Sequence, residues 1–334
     1  RVGWNVVTGY LPSAAQNMGQ DDQMEHDERY EHADEYLDVV YKLLEGSWED
    51  DAVRYDKAGD AVMAIAAEQA SQNLGRSVRL YKNNTDGKGA SYGTHENYLL
   101  ARQTPFDRVV RDLTPFFVAR QVICGAGRVG LGRESEGEGY QISSRADFFE
   151  AEVGLETTFR RPIINTRDEP HADAEHYRRM HVIVGDSTMT ETTTLLKVGS
   201  AALVLRMLEE GDPAALARLA ELRLDNPIRA IREISLDISG RTPVLLASGS
   251  TVTGLELQQR YLKAVREFVG PDPTDEVSAR VLELWERTLT AIETDRLDLV
   301  ATEIDWVIKY RLLDRYRQQR ELPWSDPRIA QLDL

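Results

Sequence analysis

Tyr81-Lys-Asn-Asn-Thr-Asp-Gly-Lys-Gly-Ala-Ser-Tyr-Gly-Thr-His-Glu-Asn-Tyr98 is the stretch on which the reading of this chain turns. Neither a core strand nor a solvated helix has use for three glycines, two lysines, a histidine and a glutamate in so short a space. A phosphate-and-metal site does. Glycines let backbone N–H groups approach an anion, lysine supplies positive charge, and histidine and glutamate ligate a cation. A second polar run, Ile163-Ile-Asn-Thr-Arg-Asp-Glu-Pro-His-Ala-Asp173, repeats the theme with arginine, histidine and carboxylates. His95 and His171 fall in these two runs, and His176 and His181 follow closely.

Working outward, Val78–Tyr81 reads as a strand entering the glycine-rich loop, and Thr94–Arg102 as an extended segment leaving it. On a strand His95 and Glu96 point to opposite faces, so the pair does not share one metal. Asp56–Leu74 reads as a helix, Asp107–Ile123 as a helix that Pro115 breaks, and Arg128–Glu138 as a loop. Gln141–Asp147 is strand-like, and His181-Val-Ile-Val184 is a short buried strand. From there apolar residues recur at helical spacing, over Thr190–Gly211, Pro227–Glu233, Leu255–Phe268, Asp275–Thr290 and Asp298–Gln319. Their aromatics, Tyr261, Phe268, Trp285, Trp306, Tyr310 and Tyr316, read as core. The pattern predicts an α+β fold, with a sheet carrying the site and a mostly helical region after about residue 190.

The chain has 334 residues, enough for two domains, and a formal net charge of −16. That balance argues against non-specific nucleic-acid binding, which needs a basic face. No apolar run approaches the roughly 18–20 residues of a membrane span, and no secretory leader pattern is present. A single cysteine, Cys124, excludes an internal disulfide framework and fits a reducing cytoplasm. Its apolar neighbours predict a small buried hydrophobe.

The quoted runs carry a resemblance. The stretch from Tyr81, with Arg102-Gln-Thr-Pro-Phe106, Pro162–Ala174, His181-Val-Ile-Val-Gly-Asp186 and Glu191-Thr-Thr-Thr194, resembles the Pup-processing enzymes, from about Asp51 to Leu334. Pup is a small protein tag for the bacterial proteasome. The resemblance implies a partial glutamine synthetase-like antiparallel sheet with packed helices, ATP and Mg²⁺ as cofactors, and Pup and pupylated proteins as partners. It implies His95 as metal ligand, against a core role, and Arg167 as phosphate contact, against an ion pair with Asp168 or Glu169. His181, Arg145 and Lys88 become candidate nucleotide or tag contacts, against burial for His181 and a solvated state for Lys88. Weaker candidates are Lys82, His171 and His176.

Asp86–Gly93, Arg102–Phe106 and Glu152–Thr158 resemble the deamidase/depupylase branch, whereas Asp225–Glu233 and Thr302–Lys309 resemble the ligase branch. The loop beside the site carries more weight, so the resemblance implies depupylase chemistry, with ligation or mere Pup binding as alternatives. The family's Glu-x-Glu pair and its catalytic Asp before a His-Pro-Glu-Tyr motif do not occur in the first sixty residues. The catalytic residue is therefore unassigned, and the expectation is an inactive chain lacking N-terminal strands and a C-terminal domain. Residues 1–53 are similar instead to flavin-dependent monooxygenases, in Trp4–Ala15, Glu25–Tyr30 and Glu45–Val53. A β/α barrel takes roughly 250 residues, so this segment is expected to be a foreign fragment without flavin, joined to a catalytic part over 54–334.

Overall fold

A computed structural model describes residues 52–79, 83–86, 88–156, 160–168, 173–211, 213–270 and 275–333. The described residues 52–79 and those from 83 onward belong to different compact units. In the first, helix α1 (Ala52–Leu74) follows its alanine-rich sequence.

The larger unit is built on a four-stranded sheet and helices. Strands β1 (Glu96–Ala101), β4 (Phe149–Gly154), β5 (Arg161–Asn165) and β6 (Tyr177–Val182) stand in the order β1-β6-β5-β4. The β1–β6 and β6–β5 pairs are antiparallel, whereas β5–β4 is parallel. Between β1 and β4 lie helix α2 (Phe106–Cys124) and a hairpin of β2 (Arg128–Leu131) and β3 (Gly137–Gln141). Gly130 and Gly132 have positive φ in that hairpin, a conformation that glycine adopts freely. The stretch expected to be a loop is therefore a paired ribbon. Its glycines and charges hid the strands, because the pairing and not the local propensity selects them.

Pro115 does not break α2. The helix runs through it, and every residue from Asp112 to Cys124 is buried. An interior proline costs about 3 kcal/mol, which packing on all sides offsets here. After residue 190 the chain is mostly helical, with α3 (Glu191–Glu210), α4 (Pro213–Ala220), α5 (Pro227–Leu236), α6 (Gly254–Val269), α7 (Glu276–Glu293), α8 (Asp305–Gln319) and α9 (Pro327–Asp333). Helices α4 and α9 go beyond the expected set, and α8 starts at Asp305 instead of Asp298, after a 3-10 turn over Leu297–Val300. A small β7–β8 hairpin (Pro243–Leu245, Thr251–Thr253) precedes α6. The helix starts are written in the sequence. Thr190 accepts from Thr193 N–H, Asn226 from Arg229 N–H and Asp275 from Ser278 N–H, and Thr253 and Glu256 form a capping box.

α2 is the central post, packed against α3, α5, α6 and β5. Phe116 meets Tyr261 and Trp285 with ring centroids 5.4 and 5.9 Å apart. The polar atoms of this core are paired: Tyr261 donates to the Asp112 carbonyl at 2.5 Å, and Trp285 to Gln258 at 3.1 Å. Trp306 is buried as well, its indole N–H donating to the Val122 carbonyl at 2.9 Å, which pins α8 to the end of α2. Phe268, Tyr310 and Tyr316 pack on the rim of the core, half-buried.

Cys124 is buried at the end of α2, its thiol donating to the Arg120 carbonyl. Burial pushes its pKa up to about 12. The folded protein is thus expected to resist iodoacetamide at pH 8 and to react fully once unfolded in urea. Rapid alkylation of the folded chain, followed by mass spectrometry, would contradict that burial. Among the described residues no helix is long and apolar enough to cross a membrane.

Candidate anion-binding face

One face of the sheet is polar because side chains alternate along each strand. Asn97 on β1 and Asn165 on β5 both pair with His181 on β6, so the three form a row across the sheet. The side-chain oxygen Oδ1 of Asn97 lies 3.0 Å from Nδ1 of His181. Two residues back along β1, His95 meets the His181 ring edge-on, with centroids 5.1 Å apart and planes at 87°. Arg179, two residues before His181 on β6, and Arg161, four residues before Asn165 on β5, share this side by strand alternation, whereas Arg167 follows the end of β5.

Part of His95 is open to solvent. The protein packed about the rest of the ring is nevertheless the largest cause lowering its pKa. The charges of Arg145, Arg167, Arg161 and Arg179 follow in that order. The charge of Arg167, from the second polar run, thus reaches His95, from the first. Neutral imidazole among guanidinium groups makes a cationic cradle inside a chain of net charge −16. Arginine forks match phosphate oxygens two at a time.

Arg167 is exposed and makes no ion pair with a described residue. Asp168, its expected alternative partner, is taken by Arg102 at 2.6 Å. His181 is buried within β6. Arg145 differs from expectation. Its guanidinium is buried and donates to the Ser91 hydroxyl at 3.1 Å, to the Gly185 carbonyl at 2.9 Å and to the Ile183 carbonyl. Burial pulls its pKa down to about 10. Arg145 braces the backbone of the cradle, because its Nε and Nη1 donors are spent on protein acceptors. Arg161 supports the same corner, donating to the Ser91 carbonyl at 3.0 Å.

The glycine-rich loop also departs from expectation. Its Lys88 and Ala90 N–H groups donate to the Asp86 carboxylate at 2.8 and 2.9 Å, so the turn satisfies itself instead of presenting them to a phosphate. Lys88 is exposed at this turn. His176 pairs with Asp173 at 2.7 Å on the surface. His171, Glu169 and Lys82 lie outside the described residues.

Glu96 points away from His95, as alternation requires. It is buried on the opposite face with both oxygens 2.7 Å from Arg120, and the Tyr98 hydroxyl donates to it at 2.6 Å. Lys197, also buried, donates to Thr94, Thr188 and the Asp186 carbonyl. Gly185 threads between them; a Cβ there would lie 2.7 Å from Oε1 of Glu96. The sequence reading missed Asn97, Arg161 and Arg179 on the polar face and Arg120 and Lys197 beneath it. The spacing of Arg179 and His181, two apart on one strand, is the signal that marks the first group.

The cradle fits the phosphates of a nucleotide. Among the described residues no three His, Cys, Asp or Glu side chains converge to hold a metal, so the described residues do not form a Mg²⁺ site around His95.

The profile of the Pup-ligase protein family matches residues 44–334. The depupylase of Acidothermus cellulolyticus is 50% identical over 289 residues, covering 85% of this chain and 56% of that protein. The Pup deamidase/depupylase of Mycobacterium tuberculosis is 51% identical over 285 residues, covering 85% and 56%. The Pup–protein ligase of Actinosynnema mirum is 51% identical over 287 residues, covering 84% and 62%. The structure of the Pup ligase PafA in complex with ADP superposes with a TM-score of 0.75 at 44% identity, covering 84% of this chain and 62% of that one. The chain thus spans little more than half the length of the curated relatives it matches. The glutamine synthetase-like, α+β expectation agrees with this neighbour. The monooxygenase likeness of residues 1–53 gains no support. The family match begins at residue 44, so the Glu45–Val53 stretch quoted for that likeness falls inside it.

Proposed function

The chain belongs to the Pup-ligase protein family, and on that footing we propose that it is a Pup deamidase/depupylase. Its reaction is hydrolysis of the C-terminal glutamine amide of Pup, or of the isopeptide bond between Pup and a substrate lysine. ATP and Mg²⁺ are the proposed cofactors, Pup and pupylated proteins the partners, the cytoplasm the location, and residues 54–334 the part that carries the function. The observation that carries this reading is His95 set edge-on to His181, with Arg145 and Arg161 anchored at Ser91 and the His95 pKa lowered by burial and by the charges of Arg145, Arg167, Arg161 and Arg179. ADP in the related PafA and Pup in a second PafA structure support it.

Arg167 is the proposed phosphate contact, because its side chain is exposed and makes no ion pair with a described residue, and its charge acts on His95. Lys88, also exposed, and His181 are the further proposed contacts. A bound nucleotide would supply polyphosphate charge for these arginines to neutralise. His95, in the neutral form that binds metals, is the proposed ligand toward Mg²⁺. The ligase reading stays as the second. The ligase-like Asp225–Glu233 and Thr302–Lys309 runs favour it, and ligases match as closely as depupylases.

Two titrations of the purified chain test this: ADP, and Pup bearing C-terminal glutamine, each by calorimetry. Saturable binding of both is the expected result. Pup binding without nucleotide binding would replace the enzyme reading with that of a non-catalytic Pup-binding protein, and binding of neither would end both.

A further inference from the structure

The Val-Gly-Asp turn after β6 does more than close the strand. The Asp186 carboxylate is buried and accepts from Ala126 N–H at 2.8 Å, Ser144 N–H at 2.9 Å and the Ser143 hydroxyl at 2.9 Å. Its backbone carbonyl accepts from Lys197 at 2.9 Å and from the Thr94 hydroxyl at 3.1 Å. Thr94 directly precedes His95, and Ser144 directly precedes Arg145. Ser143 in turn accepts from the Arg145 N–H at 3.1 Å, and Thr94 N–H donates to the Gly185 carbonyl at 3.2 Å. Across the same turn, Asn84 and Ser187 exchange side-chain-to-backbone bonds of 2.9 and 2.6 Å, tying the glycine-rich loop to it.

Four segments far apart in sequence therefore meet at one residue that none of the site assignments includes. We infer that Asp186 is a positioning residue of the anion-binding face, setting where His95 and Arg145 stand. It touches no ligand itself. The cradle's proposed use for nucleotide phosphates rests on the functional reading above, but the positioning does not. Buried polar hubs with every acceptor satisfied rigidify what they connect.

The test uses the full chain with isotope-labelled histidines. Asp186→Asn offers one oxygen to the two N–H donors and an amide N–H to the Ser143 oxygen, which keeps both N–H bonds and reverses the third. It is expected to keep the NOE cross-peak between the His95 and His181 rings and the ADP affinity. Asp186→Ala is expected to lose the cross-peak and to weaken ADP by about tenfold, the worth of one misplaced charged contact. Leu284→Ala, a core cavity away from the face, lowers stability but should keep both readouts. Thr94→Val, a milder change, should weaken the cross-peak even if Asp186→Ala does not fold.

An unchanged cross-peak in Asp186→Ala overturns the inference, or in Thr94→Val if that alanine variant is unfolded. So do equal losses in Leu284→Ala, or a loss in Asp186→Asn as large as in Asp186→Ala. Failure of the unaltered chain to bind ADP would sink the nucleotide reading alone, since the cross-peak arm still decides the role of Asp186.

Discussion

Arg120→Met should lower the folding stability of this protein by about 3–5 kcal/mol, the usual consequence of stranding one partner of a buried ion pair. Glu96 and Arg120 are only 3% and 2% exposed in their side chains. Removal of the guanidinium leaves the carboxylate with the Tyr98 hydroxyl and the more distant charge of Lys197. Urea denaturation at pH 7 measures the loss, and the double variant Glu96→Gln/Arg120→Met should recover more than half of it. A single-variant loss under about 1 kcal/mol, typical of an exposed pair, would contradict the burial.

The same pair predicts a pH dependence. Burial is the largest influence on Glu96 and opposes its charged form, but the charge and hydrogen bonds of Arg120 outweigh it, so the carboxyl pKa is lowered overall. A carboxylate depressed in the folded state stabilises the fold above its unfolded pKa, near 4.5 for glutamate. That stabilisation disappears as pH falls through the depressed folded value. The unaltered protein should therefore lose this contribution below about pH 4.5, and the gap between it and Arg120→Met should narrow there and stay constant between pH 6 and 8.

Arg167→Ala is expected to weaken ADP by about ten- to a hundredfold, the range for a hydrogen-bonded charge contact to phosphate, with an unchanged melting temperature. The side chain is exposed and outside the described ion pairs, so the fold does not depend on it. Arg167→Lys should recover only part of the affinity, because an ammonium lacks the planar fork. Arg145→Ala would not make the same test. Its buried guanidinium holds backbone carbonyls, and its loss is expected to lower stability together with affinity. Equal ADP affinity in Arg167→Ala and the unaltered chain would remove Arg167 from the cradle.

Much of the fold was legible before any coordinates. Helical spacing and cap residues located α3 and α5 to α7 to within three residues at each end, because those signals are local. Alternation correctly separated His95 from Glu96. Pro115 and the β2–β3 hairpin were misread for one reason: their local preferences are overridden by packing from segments distant in sequence. The site divides the same way. His95 and Arg167 announced themselves through composition, but Arg120, Lys197 and Asp186 sit in unremarkable helical or turn contexts.

Residue order alone determined the family, the two polar runs and the helical C-terminal region, since each is written in contiguous residues. Only the tertiary structure decided which charges face the cradle and which are spent beneath it. Arg145 and Arg167 look alike in sequence; one is enclosed by carbonyls and the other reaches solvent. That difference comes from the strand register across β1, β6 and β5 and from the turn at Asp186, where long-range hydrogen bonds select one partner for each buried charge.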